Sequence, residues 1–549
     1  MSTDSPTSPT KQKRASAKSP TDREKSSASG GAKATKAAPK RASPRTGAGE
    51  PKTSTRASSF ESLDPATGDV VGRHPIATAK DVDAAVARAQ EAAAWWSSRT
   101  FEQRAEVLTK WKGVITRRMG QLADLVHRET GKPHGDAQLE IVLAIDHLAW
   151  AAKHAKKVLG PQRVSPGLLM FNQSATIERR PLGVVGVIGP WNYPVFTPMG
   201  SILYALAAGN TVVFKPSEYT PGVGVWLADS LAEVEPRHAL LQTVTGFGET
   251  GAALARADVQ KVAFTGSTAT AKKVMAACAE NLTPVLMECG GKDAMLVDED
   301  ADIAEAADAA VWGGMANAGQ TCAGVERIYV HEKRYDEFVR AVTEQAKALR
   351  VGGDDGAQVG PITMPSQLGI IRAHIEDALA KGGKALVGGA DAVGERFVQP
   401  TVLVDVPEDS LASTDETFGP TFTVTKVRDM DEAVARANAS RYALGSSVFA
   451  GARGESIARR LRAGMTSVNT MLSYAGIPAL PFGGVGDSGF GRIHGEDGLR
   501  EFTYAHAIAR QRFKAPIVLT SFKRTPKTEG LVAQLITLLH GGASTIEKP

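Results

Sequence analysis

The sequence contains few cysteines and no long apolar run, and both absences restrict the class of protein. Its 549 residues include three cysteines, Cys278, Cys289 and Cys322, an odd number without the spacing of a metal site. This disfavours a disulfide framework or a zinc site and favours a reducing compartment. No stretch of 18 uncharged apolar residues occurs, so no membrane-spanning helix is expected. We therefore predict a cytoplasmic protein.

Large apolar side chains are also nearly missing from residues 1–58, which are rich in Ser, Thr, Ala, Pro and Lys. This segment has thirteen Lys and Arg against four Asp and Glu, and its charge of +9 leaves −4 for the rest of the chain. It cannot bury enough surface to offset its ordering entropy, so we predict a disordered basic tail. The alternative to a solvated linker is weak contact with a polyanion or an anionic membrane surface.

From Gly183 onward, short apolar runs alternate with helical patterns. The runs at 184–188, 211–214, 242–245 and 261–265 are typical of buried strands, and a second alternating block covers 294–467. Alternation of this kind predicts parallel sheets covered by helices. We predict an α/β fold with two open, doubly wound parallel-sheet domains.

Cys322 ends the polar turn Asn317-Ala-Gly-Gln-Thr-Cys322, which lies between a helical run and a strand-like run. A lone cysteine is ordinarily a small buried side chain that only packs. A turn with a glycine and two amides is a poor place to bury a thiol, and a thiolate there can act as a nucleophile. Glu288 supplies a carboxylate 34 residues earlier. This combination suits chemistry that forms a thioester and then hydrolyses it.

Two motifs, Asn317-x-Gly-Gln-x-Cys322 and Glu288-x-Gly-Gly-Lys292, resemble those of the NAD(P)-dependent aldehyde dehydrogenase superfamily. The resemblance covers residues 63–509, and it implies an enzyme that oxidises a small-molecule aldehyde to a carboxylic acid. It implies that Cys322 is the nucleophile and that Glu288 activates the water that hydrolyses the thioester. It also implies that Asn192, in Pro190-Trp-Asn-Tyr-Pro194, donates to the oxyanion.

The same resemblance implies a dinucleotide cofactor and no metal. Lys215 and Glu218 would contact the adenosine ribose, where a carboxylate favours NAD over NADP without excluding NADP. Ser267 and the helix start behind it would hold the pyrophosphate. The complete predicted set of cofactor-binding residues is Trp191, Lys215, Ser217, Glu218, Gly248, Gly266, Ser267, Glu416 and Phe418.

The resemblance also implies a homodimer or homotetramer, in which a late strand of one subunit pairs with the bridging arm of its neighbour. The C-terminal extension is expected to contain a short amphipathic helix that docks on the body or lies at a membrane surface. The expected bounds are 59–167 and 180–289 for the NAD-binding domain, 168–179 for the bridging arm, 290–500 for the catalytic domain, 501–515 for the oligomerisation strand and 516–549 for the extension.

Gly200 bears on the substrate, because it is small where some members of the family carry a bulky aromatic residue. With Tyr193 and Phe196 as apolar walls, it predicts a wide tunnel for a medium-chain, long-chain or aromatic aldehyde. Succinate semialdehyde is the alternative substrate, although it needs cationic or hydroxyl groups that the sequence does not locate. A third alternative is an inactive enzyme body tethered to an anionic partner by the basic tail.

Overall fold

The computed structural model describes residues 58–517 and 520–542. The predicted disordered tail therefore lies, apart from Ser58, outside the described residues, and it stays a prediction. Within the described ranges, no helix combines the length and the apolar character that crossing a bilayer requires.

The strands of the body are short and rich in β-branched residues, as expected for buried parallel sheets. Their bounds are β1 (Ser59–Leu63), β2 (Val70–Pro75), β3 (Gln162–Val164), β4 (Gln173–Pro181), β5 (Val184–Ile188), β6 (Thr211–Lys215), β7 (Leu241–Thr243), β8 (Lys261–Thr265), β9 (Val285–Glu288), β10 (Asp293–Val297), β11 (Val325–His331), β12 (Lys384–Val387), β13 (Thr401–Val404), β14 (Thr421–Val427), β15 (Ser446–Phe449), β16 (Ser467–Val468), β17 (Gly489–Phe490) and β18 (Thr503–Gln511).

Several helices begin at residues with local capping chemistry; for example, the Ser267 and Asp302 side chains accept N–H groups of the helices that follow them. Their bounds are α1 (Ala79–Ser97), α2 (Phe101–Arg117), α3 (Met119–Thr130), α4 (His134–Leu159), α5 (Phe196–Ala208), α6 (Pro221–Ala232), α7 (Gly248–Arg256), α8 (Thr268–Ala279), α9 (Ile303–Met315), α10 (Tyr335–Ala348), α11 (Gln367–Ala380), α12 (Leu411–Thr414), α13 (Met430–Asn438), α14 (Gly454–Ala458), α15 (Ser473–Gly476), α16 (Gly495–Glu501) and α17 (Pro526–His540).

Two open sheets form the two halves of the body. The first has the strand order β17-β9-β8-β5-β6-β7 and the second has the order β12-β13-β14-β11-β10-β15-β16. Within each sheet, neighbouring strands are parallel except for β17 in the first and β12 in the second, each at an edge. The predicted α/β fold with two parallel-sheet domains is confirmed.

A third, smaller sheet has the order β18-β4-β3. The expected arm is part of a sheet of three strands rather than two, and the late strand expected to pair with a neighbour's arm pairs with the arm of its own chain. The strand β18 pairs antiparallel with β4 of the same chain over nine residues, from Thr503 opposite Pro181 to Gln511 opposite Gln173. This regular pairing provides hydrogen-bond partners for the backbone groups of β4 that face β18, so these groups need no strand from a second subunit.

Candidate active site

The site lies between the two large sheets. Five predicted residues follow the carboxyl ends of parallel strands of the first sheet, which is where open α/β sheets bind ligands. The strand β5 leads to Trp191 and Asn192, β8 leads to Gly266 and Ser267, and β9 ends at Glu288. The second sheet contributes Cys322, just before β11, and the pair Glu416 and Phe418, just before β14. Sequence positions far apart in the chain are therefore brought to one cleft.

Cys322 faces Glu288 directly, with Sγ 3.3 Å from Oε1. Burial raises the pKa of Glu288 to about 7. Burial, and secondarily the Glu288 carboxylate, raise the pKa of the Cys322 thiol well above its ordinary value. The isolated protein therefore does not stabilise a thiolate. The geometry instead favours transfer of the thiol proton to Glu288 as the nucleophile is formed.

The turn before Cys322 is held in a conformation that L-residues rarely adopt. Asn317, Ala318 and Gly319 have φ values of 53°, 54° and 69°. A Cβ on Gly319 would lie 2.0 Å from the carbonyl oxygen of Gly419, so that position requires glycine. The Gln320 side chain stabilises the turn, because it donates to Asn317 O at 2.9 Å and accepts from Thr363 N at 2.8 Å. This order fixes the direction of the Cys322 side chain.

Asn192 is bonded to the cysteine turn. Its Nδ2 donates to Gln320 O at 2.9 Å, and its own carbonyl oxygen accepts from Asn317 Nδ2 at 3.0 Å. An asparagine amide carries two N–H donors, so a second one remains for a substrate oxygen. Asn192 and Cys322 line the same cavity. The arrangement suits the predicted oxyanion role.

Lys132 also holds Asn192, and the sequence did not indicate this. Lys132 lies between the end of α3, closed by Gly131, and Pro133, which precedes α4. Lys132 is nevertheless buried, and its Nζ donates to Asn192 O at 2.7 Å and to Glu140 Oε2 at 2.9 Å. Only the glycine and proline on either side hinted at a fixed backbone there.

A cavity of 330 Å³ next to Cys322 contains five of the nine predicted cofactor residues, namely Trp191, Gly266, Ser267, Glu416 and Phe418. The residues present fit a dinucleotide. Ser267 caps α8, whose free N–H groups suit a diphosphate. A Cβ on Gly290 would lie 2.2 Å from Glu416 Oε2, so the glycine makes room for this carboxyl group. Burial raises the pKa of Glu416 to about 8, which leaves it able to donate to or accept from a hydroxyl.

A buried ion pair that the sequence analysis missed holds the Phe418 side of the cavity. Lys292 pairs with Glu326, whose carboxylate accepts the backbone N–H groups of Thr417 at 2.8 Å and Phe418 at 2.9 Å. Phe418 has a φ of 52°, and its ring meets that of Trp191 edge-on at 5.5 Å. The pair therefore pins a strained residue against the cavity.

The remaining predicted cofactor residues lie on the neighbouring strand and helix. Lys215 ends β6, and its Nζ lies 3.5 Å from Glu218 Oε2. Ser217 is buried and accepts from Tyr219 N at 3.3 Å, and Gly248 begins α7. Because β6 lies beside β5 in the sheet, this group extends the cleft away from Cys322. The direction fits the adenosine half of a dinucleotide.

A second cavity, which we call the inner cavity, has a volume of 250 Å³ and also reaches Cys322. Most of its walls are apolar, including the predicted Tyr193 and Phe196. The lining residues are Asp136, Leu139, Glu140, Leu143, Tyr193, Phe196, Thr197, Trp312, Ala316, Thr321, Cys322, Ala323, Met471, Leu472, Ala475, Gly476 and Phe482.

Gly200 does not line this cavity, so the interpretation that it widens the tunnel is wrong. The space beside it is already filled, since a Cβ would lie 2.7 Å from Ile493 Cδ1 and 2.9 Å from His494 Nε2. The small residue makes room for the buried His494 ring. Cys278 and Cys289 are both buried in an apolar cluster, where they pack as small side chains.

Comparisons with known proteins agree with this geometry. The family model "Aldehyde dehydrogenase family" matches residues 52–508. The chain is 37% identical to the 4,4'-diapolycopene aldehyde oxidase of Methylomonas sp, over 84% of this chain and 87% of the relative. It is also 37% identical to a Mycobacterium ulcerans protein named provisionally as a succinate-semialdehyde dehydrogenase [NADP(+)], over 81% of this chain and 87% of the relative.

Among solved structures, PnpE from Pseudomonas sp. WBC-3 in complex with nicotinamide adenine dinucleotide has a TM-score of 0.80 and 34% identity. The match covers 85% of this chain and 96% of that one. The NAD-dependent aldehyde dehydrogenase of Sinorhizobium meliloti also has a TM-score of 0.80, with 31% identity over 84% and 93% of the two chains. The chain therefore belongs to the aldehyde dehydrogenase family, and it is an NAD(P)-dependent oxidoreductase.

Proposed function

We propose that this enzyme oxidises a medium-chain, long-chain or aromatic aldehyde to its carboxylic acid. One observation carries the proposal: Cys322 lies where a cavity that fits a dinucleotide meets a second, largely apolar cavity. A nucleophile at that junction can hold the carbonyl carbon of a substrate from one side while the cofactor binds on the other.

The chemistry begins when Glu288 takes the proton of Cys322 and Sγ adds to the aldehyde carbon. The carbonyl oxygen becomes negative, and the free N–H of the Asn192 amide stabilises it, an interaction worth roughly 3 kcal/mol in comparable sites. A bound nicotinamide dinucleotide supplies the oxidising chemistry by accepting a hydride. The substrate is then held on Cys322 as a thioester. Glu288 passes the thiol proton to solvent and then removes a proton from a water. The attack of that water on the thioester breaks the C–S bond and releases the acid, and the proton on Glu288 returns to Sγ to restore the thiol.

The charges around the inner cavity favour an uncharged substrate over succinate semialdehyde. Among its lining residues in the described part of the chain, the ionisable groups with a formal charge are Asp136 and Glu140, both acidic, and no lysine or arginine is present. The nearby Lys132 is already paired with Glu140. A second carboxylate on the substrate would lose its hydration without gaining a cation. The name of the mycobacterial relative supports the alternative, and the name of the Methylomonas relative supports an aldehyde without a stated acid group.

The test is a series of straight-chain aldehydes from two to twelve carbons, with benzaldehyde and succinate semialdehyde included. We expect kcat/KM to rise with chain length, because each buried methylene is worth about 0.8 kcal/mol, or roughly fourfold. A flat or falling series, or a clear preference for succinate semialdehyde, would reject this substrate class.

We propose that NAD is preferred over NADP. Glu218 supports this, since a carboxylate at the adenosine ribose accepts from hydroxyl groups and repels a 2′-phosphate. The solved PnpE complex contains NAD, whereas the mycobacterial relative carries NADP in its name. The ratio of kcat/KM for the two cofactors should favour NAD, and Glu218→Gln should lower that ratio.

We also propose a cytoplasmic homodimer or homotetramer. The described cysteines are free, as expected in a reducing compartment. The turn before β4 exposes apolar side chains, including Leu168, Met170 and Phe171, and such a patch is typical of a subunit interface. Light scattering will give the mass of the assembly.

The predicted C-terminal amphipathic helix is present as α17, and several of its leucines are exposed. We propose that α17 contacts a membrane surface, and that the basic tail makes weak contact with a polyanion or a membrane surface.

A further inference from the structure

A groove of 520 Å³ adjoins the inner cavity, and we call it the outer groove; none of its lining residues in the described chain also lines the cofactor cavity. Three residues, Asp136, Trp312 and Ala316, line both spaces. The inner cavity, with 250 Å³, is the smaller of the two. The other residues of the outer groove are Pro133, Gly135, Asp308, Val311, Met315, Gln345, Ala348, Leu349, Ala357, Gln358 and Val359. The two spaces therefore border each other, and Trp312 stands at that border.

One face of α9 forms a wall of the outer groove. Asp308, Val311, Trp312 and Met315 recur at the spacing that places residues on the same side of a helix. Val311 and Met315 are buried, whereas the Trp312 side chain is 43% exposed. An exposed tryptophan between two cavities offers a large apolar surface that a passing hydrocarbon chain can cover.

The charges of the outer groove select the same chemistry as those of the inner cavity. Its formally charged lining residues in the described chain are Asp136 and Asp308, and no lysine or arginine is among them. Leu349, Val359 and Met315 provide apolar contact. A chain that ends in a carboxylate, phosphate or sulfate would meet like charge there, and an uncharged hydrocarbon would not.

We infer that the outer groove binds the distal part of a long, uncharged aldehyde whose reactive end lies at Cys322. The inference rests on the proposed function and narrows its substrate class to hydrocarbon aldehydes that extend beyond the inner cavity. Trp312 is then a specificity-determining residue at the passage between the two spaces. Contacts in the outer groove bind the substrate in both ground state and transition state, and they raise kcat/KM at low substrate concentration.

The chain offers a closely matched pair of variants to test this. Gly135 is the second residue of α4 and lines the outer groove, and a Cβ there would meet no heavy atom within 4 Å. Gly120 is the second residue of α3, outside the lining of both spaces, and its Cβ would also meet nothing within 4 Å. Gly135→Phe fills the outer groove, and Gly120→Phe makes the same change elsewhere.

The measurement is kcat/KM of the full-length enzyme for each even-numbered straight-chain aldehyde from six to sixteen carbons. We expect kcat/KM of all three enzymes to rise together for the shorter aldehydes. Beyond a certain chain length, kcat/KM of Gly135→Phe should level off, whereas that of the wild type and Gly120→Phe should continue to rise. For the longest substrates, Gly135→Phe should fall at least tenfold below the wild type, and for hexanal the two should agree within twofold. Hexanol and tetradecanol do not react and can be used as inhibitors. The Ki of tetradecanol should be at least tenfold higher for Gly135→Phe than for the wild type, and the Ki of hexanol should agree within twofold.

The outcomes separate the inference from the proposed function. If the wild type gains nothing between two and eight carbons, the proposed function fails. If the wild type prefers long chains but Gly135→Phe and Gly120→Phe have the same profile, the proposed function stands and the outer groove does not bind substrate. A Gly135→Phe enzyme that loses hexanal and tetradecanal activity equally would also overturn the inference, and the hexanol Ki would show whether the inner cavity was disturbed.

Discussion

The Cys322 thiol lies 3.3 Å from the carboxyl group of Glu288, and burial raises the pKa of both. The nucleophile and the base are thus one coupled unit in a site of low polarity. Because burial keeps the thiol neutral, the reactive thiolate forms most readily when ionised Glu288 takes its proton. The ionisation of Cys322 therefore depends on Glu288 and on the burial of both groups, and not on an unusually acidic thiol.

Replacing the nucleophile is the first test of this unit. Cys322→Ser should abolish aldehyde-dependent NADH formation, because a hydroxyl is a far weaker nucleophile than a thiolate. Binding of NAD, measured by calorimetry, should survive. Cys278→Ser, in the buried side of α8, is the matched control and should keep turnover. Appreciable turnover by Cys322→Ser would refute the assignment.

Replacing the base should separate the two halves of the reaction. Glu288→Gln is expected to give one NADH per site in a stopped-flow burst and then stall as the acyl-enzyme, because the water lacks its base. The burst should speed up as pH rises, since the thiol must ionise unaided. Glu332→Gln, at an exposed carboxylate, should behave as wild type. Steady turnover without a burst would contradict this order of events.

The pH profile follows from the same carboxyl group. Glu288 must be unprotonated to accept a proton, and its pKa is raised to about 7, so kcat/KM should rise as pH increases through about 7. In Glu288→Gln this inflection should disappear from the residual activity. If the variant kept the same inflection, another group would be responsible for it.

The buried pair of Lys132 and Glu140 should affect stability and activity separately. Lys132→Met leaves the buried Glu140 carboxylate with the Val195 N–H but without its cation, which costs about 3–5 kcal/mol of unfolding free energy. Adding Glu140→Gln should recover much of that loss. The double variant should still have kcat reduced about tenfold, because Asn192 O loses a hydrogen bond worth about 1.4 kcal/mol.

Lys110→Met is the control for the Lys132 prediction. Lys110 forms an exposed ion pair with Glu106, so its loss should change stability by less than about 1 kcal/mol and leave kcat unchanged. Chemical denaturation and steady-state kinetics measure both quantities. A double variant with wild-type kcat would show that Lys132 has only a structural role.

Gly200→Ala tests the corrected role of this glycine. The added methyl group would contact Ile493 and His494, so we expect a loss of about 1–3 kcal/mol in stability from overpacking. The chain-length preference should not change, since Gly200 does not line the inner cavity and Ile493 and His494 fill the space beside it. Gly369→Ala, at a helical position where a Cβ meets nothing within 4 Å, should instead stabilise slightly. A changed chain-length preference in Gly200→Ala would show that this residue does influence the substrate cavity.

Much of the fold was predictable because the local sequence and the final structure agree. The segments 184–188 and 261–265 are apolar runs of strand length, and they form β5 and β8 with the predicted bounds. The motifs around Cys322 and Glu288 were recognisable because a reactive thiol and a carboxylate base need particular neighbours. The partners of β18 were not predictable, since strand pairing depends on which edges are free after the chain has folded.

The sequence by itself determined the parallel α/β architecture and the chemical groups of the site, because both follow from side-chain patterns that are local in the chain. Tertiary structure alone decided that Ile493 and His494 fill the space beside Gly200 and that Lys132 binds Asn192. It also decided where the inner cavity borders the outer groove. These relationships join residues up to hundreds of positions apart. They depend on how helices pack against sheets and on which charges find partners once water is excluded, and no local pattern encodes that outcome.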